Sequence, residues 1–189
     1  MTKKHLFWDS CAFIAYLNDE SEAYDTASLK AYISNLGKPN GCEIYTSAIA
    51  LAEITPKKLI TSKFGSFDEF LRDAKGAIHI LDAGPNECQT AALLKDVEYQ
   101  KSGNTGRVLT TGDALMLATA IELEDTYGVK IDAFHTYDRG NGPRGPEGKG
   151  IPLIGYETWL NGVVQSELVK RVVNMNRCNP IHPSPMLDI

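Results

Sequence analysis

Closely spaced cysteines are missing from this chain. Its 189 residues hold four, Cys11, Cys42, Cys88 and Cys178, and no CxxC pair. Zinc sites are built from neighbouring soft ligands, so a structural zinc is not expected. A disulfide framework is equally out of place in so long a chain with so few thiols. Long apolar runs are lacking too, and no stretch approaches the roughly 20 residues of a membrane span. The basic start, Met1-Thr2-Lys3-Lys4-His5, leads into Leu6-Phe7-Trp8 before Asp9 interrupts, too short a run for a signal peptide. The expected location is therefore cytoplasmic. Excess positive charge is absent: 19 Lys and Arg stand against 24 Asp and Glu, for a formal charge of -5. That is not the field of a protein that grips long nucleic acid by charge alone. There is no GxSxG elbow and no glycine-rich loop ending in Lys-Ser/Thr, which argues against acyl transfer and nucleoside triphosphate hydrolysis.

What is present is an ordinary globular balance, 43% hydrophobic and 23% charged, enough for one domain with a buried core. Short apolar runs without in/out alternation read as strands at residues 5–8, 43–45, 77–81, 131–137 and 151–154. Between them lie helical patterns at 11–17, 22–36, 48–59 (kinked or ended by Pro56), 67–75, 85–100 and 114–127, with the start of a last helix at 157–161. Residues 139–150, rich in Gly and Pro, read as a loop. Strands that alternate with helices and carry no polar face predict an α/β fold: a parallel central sheet of about five strands with helices on both faces. The predicted domain covers residues 1–165, with 166–189 as a C-terminal extension.

In such sheets ligands collect beyond the carboxyl ends of the strands. Asp9 closes the first strand and Asp138 the fourth. Asp113 opens a helix that runs back from the same edge, and Glu53 lies in the helix after the second strand. Four carboxylates at one edge repel one another unless a cation sits among them. Oxygen-only ligands suit Mg²⁺ or Mn²⁺, ions that polarise a phosphoryl oxygen and activate water for in-line attack on a phosphodiester.

The order Asp9-Ser10 after a first strand, Glu53 ending Thr46-Ser47-Ala48-Ile49-Ala50-Leu51-Ala52-Glu53, Gly112-Asp113-Ala114 opening a helix, and Thr136-Tyr137-Asp138 resembles the PIN domain, most closely the ribonuclease toxins of VapC type. The resemblance spans residues 5 to about 156. It implies a Mg²⁺- or Mn²⁺-dependent endoribonuclease, a homodimer, and a small antitoxin protein that blocks the site. Carried over by position, Asp9, Glu53, Asp113 and Asp138 are the metal-binding acids, with Ser10 and Thr136 as supporting hydroxyls. Cys11 departs from the pattern, standing where a second small polar residue is frequent.

Each acid also has a plainer reading. Asp9 caps a helix, worth about 1 kcal/mol. Asp113 sits favourably in a first turn, worth roughly 0.3–1 kcal/mol. Glu53 pairs with Lys57 one turn on, worth about 0.2–0.5 kcal/mol. Asp138 forms a turn before Gly140. Asp82 also ends a strand and is read as a cap, and His135 as a packed core residue. For RNA contact the candidates are Lys57, Lys58, Lys63, Arg139, Arg144 and Lys149, placed to hold phosphates flanking the scissile one. The alternatives are a catalytically silent PIN-like binding module, a PIN nuclease outside any toxin pair, and a phosphatase with Asp9 as nucleophile. The last needs a second Asp two residues on, where Cys11 stands instead.

Overall fold

The apolar run at the start of the chain becomes the middle of the sheet. A computed structural model describes residues 3–74, 76–101, 107–140 and 150–183. In it β1 (Lys4–Trp8) is flanked by β2 (Cys42–Ser47) and β4 (Ala133–His135), β3 (Ile78–Leu81) lies outside β2, and β5 (Arg177–Cys178) lies outside β4. All four pairings are parallel. A strand with neighbours on both sides and helices on both faces has no solvent side, which is why Leu6, Phe7 and Trp8 follow one another without a polar break.

Side chains leave the sheet alternately. Trp8 packs on Phe13 of α1 (Ser10–Leu17), and His135 beside it faces Tyr32 of α2 (Thr26–Ser34), their ring centres 5.1 and 5.0 Å apart. Burial holds His135 down at about 4, so it is a neutral core residue as expected. On the other face Phe7 stacks on Phe134 at 5.0 Å. There α6 (Thr111–Tyr127) is bolted to β2 by a hydrogen bond between the Thr119 and Ser47 hydroxyls at 2.9 Å, the Thr119 proton itself going to the Leu115 carbonyl. Ala114, Ala118 and Ala120 keep that helix close to its neighbours, and Gly128, at φ +65°, ends it in the left-handed conformation that a Cβ disfavours. The remaining helices are α3 (Ile49–Glu53), α4 (Phe67–Asp73), α5 (Pro85–Lys95) and α7 (Glu167–Asn174).

The architecture is thus the predicted α/β one, with five parallel strands. Three local expectations are corrected. Residues 151–154 form no strand, because their backbone groups go to scattered partners. The Ile151 N–H donates to the Val108 carbonyl and the Ile154 N–H to the Asp138 carbonyl. The Asp138 carboxylate accepts the Leu153 N–H at 2.9 Å, and Arg177 donates to the Leu153 carbonyl at 2.9 Å. The edge position beside β4 goes to Arg177–Cys178, so the stretch 166–189, expected as an appendage, contributes α7 and a strand to the sheet. Helix α3 stops at Glu53, three residues before Pro56, and Pro56–Lys58 form a separate 3-10 turn.

Candidate active site

Asp9 is the first residue after β1, and its N–H still donates to the His135 carbonyl of β4 at 3.0 Å. Its side chain turns back to cap α1: Oδ1 accepts the Ser10 N–H at 2.7 Å. The other oxygen, Oδ2, accepts from the Thr136 hydroxyl at 2.7 Å and from the Cys11 thiol at 3.1 Å. Thr136 also accepts the Asp138 N–H at 3.0 Å, so one hydroxyl ties the ends of β1 and β4 together. The helix-capping reading of Asp9 therefore holds, but it occupies only one of four bonds' worth of carboxylate acceptor capacity.

Glu53 ends α3 and reaches the same edge. Its Oε2 accepts from Ser10 Oγ at 2.5 Å, and no ion pair with Lys57 forms. Its other oxygen lies against Gly112, where a Cβ would collide with it. Asp113 follows at once in the first turn of α6. The α6 cap, Thr110, accepts the Asp113 N–H at 3.2 Å and donates to Asp113 Oδ2 at 2.5 Å. Asp138 is the most committed of the four: Oδ1 accepts the Gly140 N–H and Oδ2 the Leu153 N–H, each at 2.9 Å.

The acids feel one another. Burial raises the Asp9 carboxyl, the charge on Asp138 adds to this, and the bonds from Cys11, Thr136 and Ser10 pull against it. Burial also raises Glu53, with Asp9 adding and Ser10 and Lys58 opposing. Asp113 is pushed up to about 8, by burial first and then by Asp9, Asp138 and Glu53. Among the described residues none of the four forms an ion pair with Lys, Arg or His.

The donor set fits a hard divalent cation by chemistry: the buried Asp9 and the half-buried Glu53, Asp113 and Asp138 offer oxygen only, and none is ion-paired among the described residues. Open positions are one lone pair on Asp9 Oδ1, Oε1 of Glu53 and Oδ1 of Asp113, which accept nothing further among the described residues. As placed, no three His, Cys, Asp or Glu side chains among the described residues are gathered into a group that could hold a metal. Closing such a group needs side-chain rotation, for which Glu53 and Asp113 are held by single hydroxyl bonds.

Of the basic candidates, Lys57 and Lys58 lie exposed on the 3-10 turn after α3. Lys63 sits over the Phe64 ring at 4.8 Å. Arg139 is exposed one residue past Asp138. With the Asn179 amide turned to satisfy both neighbours, its carbonyl accepts from Arg139 at 2.7 Å and its NH₂ donates to the Thr136 carbonyl at 3.2 Å. Arg144 and Lys149 lie outside the described residues. Asp82 is exposed and not a cap; Gly84 is the N-cap of α5.

Three residues of the site escaped sequence reasoning as contributors. Thr110 was legible, since Thr-x-x-Asp before an apolar helix is a capping pattern. Gly112 was signalled by a glycine in a first turn where a better helix former is normal. Cys11 was noticed only as a departure, although its Sγ accepts the Tyr137 N–H at 3.1 Å and burial keeps its thiol well above the usual range. Comparison of the chain with known protein families, with curated proteins and with solved structures returns no match.

Proposed function

We propose that this chain is a Mg²⁺- or Mn²⁺-dependent endoribonuclease of PIN type, in which Asp9, Glu53, Asp113 and Asp138 hold the cation. The observation that carries the reading is that the charges of Asp9, Asp138 and Glu53 all reach Asp113, while none of the four acids is ion-paired among the described residues. A structural role needs no such arrangement, because like charges in a buried setting cost stability. A bound divalent ion would supply the missing positive charge, polarise a phosphoryl oxygen and ease deprotonation of water.

The chain's own residues do the rest. Ser10 and Thr110 orient the carboxylates of Glu53 and Asp113 through their hydroxyls. Thr136 and Cys11 hold Asp9 in one rotamer. In the reaction water adds to phosphorus, the bond to the leaving oxygen breaks, and that oxygen takes up a proton. Lys57 and Lys58, exposed on the turn after Glu53, and Arg139, next to Asp138, are the candidates to hold flanking phosphates.

The toxin role, a homodimer and an antitoxin partner complete the reading, and the resemblance in the sequence supports them; a cytoplasmic location goes with that role. No helix among the described residues is long and apolar enough to cross a membrane. The second reading, a silent PIN-like binding module, is favoured by one observation: both Asp138 oxygens already serve backbone N–H groups. The test is cleavage of a labelled single-stranded RNA pool by the purified chain with Mn²⁺. Fragments that vanish with EDTA and return with excess Mn²⁺ support the nuclease; uncut RNA across several pools favours the module.

A further inference from the structure

Cys11 does something to Asp9 that the plain count of acids does not show. A carboxylate offers about four lone-pair sites, two on each oxygen. On Asp9 Oδ2 both are filled, one by the Thr136 hydroxyl at 2.7 Å and one by the Cys11 thiol at 3.1 Å. On Oδ1 one is filled, by the Ser10 N–H at 2.7 Å. The thiol is itself locked in place. The Tyr137 N–H donates to its sulfur at 3.1 Å, which leaves the S–H free to point at the carboxylate, and Thr136 Oγ1 stands 3.4 Å from the same sulfur.

From this geometry we infer that Cys11 is a positioning residue for ion selection: with Thr136 it closes Oδ2 and leaves Asp9 a one-oxygen ligand. The inference rests on the metal-site reading above. A one-oxygen carboxylate suits a small, six-coordinate ion such as Mg²⁺ or Mn²⁺. Calcium takes 6–8 oxygens and commonly draws both from one carboxylate, so a closed Oδ2 disfavours it. Serine in place of Cys11 keeps a donor, whereas alanine reopens one lone pair on Oδ2.

The experiment is calorimetric binding of Mn²⁺ and of Ca²⁺, each alone, to the full chain and to Cys11→Ala and Cys11→Ser, which needs no catalytic turnover. The inference expects wild type and Cys11→Ser to prefer Mn²⁺ by similar factors. Cys11→Ala should lose about tenfold of that preference, mainly by binding Ca²⁺ better. Cys11→Val, which also lacks the donor and fills the space, replaces the alanine variant if circular dichroism shows the latter unfolded. A wild type that binds Mn²⁺ beside a donor-less variant with the same ion preference overturns the role of Cys11 and leaves the metal site standing. A wild type that binds neither ion overturns both.

Discussion

Asp113 is the acid whose charge costs the fold most, and its replacement by Asn tests the electrostatics of the site. Its carboxyl is lifted from 3.8 to about 8 by burial and by the neighbouring acids. In the unfolded chain it keeps an ordinary value. Stability from the bound proton is therefore complete below 3.8 and is lost as pH rises through about 8, above which the charge is buried unpaired. At about 1.36 kcal/mol for each tenfold in proton affinity, the lift sets a ceiling of about 6 kcal/mol. Water entering the site and rotation of the acids reduce this to about 2–3 kcal/mol. Urea unfolding in EDTA should show wild-type stability falling between about pH 4 and about pH 8. Asp113→Asn should flatten that fall by about 2–3 kcal/mol, leaving a remnant from Asp9 and Glu53, which burial also raises. Mn²⁺ added at high pH should restore the wild type and leave the variant nearly unmoved. A variant profile that superposes on the wild type refutes the reasoning, for then Asp113 is not the acid that pays.

Two further outcomes follow from the same edge. Gly112→Ala should melt no lower than wild type, since Ala is favoured over Gly in a helix by about 1 kcal/mol, yet cut RNA about 10–100-fold more slowly because its Cβ displaces Glu53. Melting followed by circular dichroism, with cleavage rates beside it, separates the two effects; an unchanged rate removes Glu53 from the site. Arg139→Ala should weaken binding of single-stranded RNA and reduce the slope of log K against log salt by about 0.7 for one lost phosphate contact. An unchanged slope in a filter-binding titration takes Arg139 off the RNA path.

The elements legible in the sequence are those whose signals are local and strong. The run Leu6-Phe7-Trp8 announces a central strand because only a strand covered on both faces tolerates it. Thr110, Gly112 and Gly128 bracket α6 with a cap, a close approach and a left-handed stop. The placement of Asp9, Asp138 and Asp113 was legible because strand ends and helix starts share one edge in a parallel sheet, a rule that does not reach Glu53 at the end of α3. Strand β5 was not, since two residues, Arg177 and Cys178, carry no apolar run and owe their place to pairing with β4 and to the Arg177 bonds with Leu153 and Glu157. Residues 151–154 misled for the opposite reason: Ile151 and Leu153 are buried as a strand's would be, but the Ile151 N–H goes to the Val108 carbonyl and the Leu153 backbone to Asp138 and Arg177. The bond from Cys11 to Asp9 was beyond reach, because it depends on Tyr137 orienting the thiol across the end of β4.

The central claim is that these acids bind a divalent ion and cut RNA with it, and Asp9→Asn probes it most directly. Asn keeps the shape and the α1 cap but removes the charge that Cys11, Thr136 and Ser10 hold in place. Wild type and variant are compared for Mn²⁺ binding by calorimetry and for cleavage of labelled single-stranded RNA. The account predicts that the variant folds, binds Mn²⁺ at least tenfold more weakly, in line with about 10–100-fold for lost metal-site groups, and leaves the RNA intact. A variant that binds Mn²⁺ and cuts RNA as well as the wild type contradicts it.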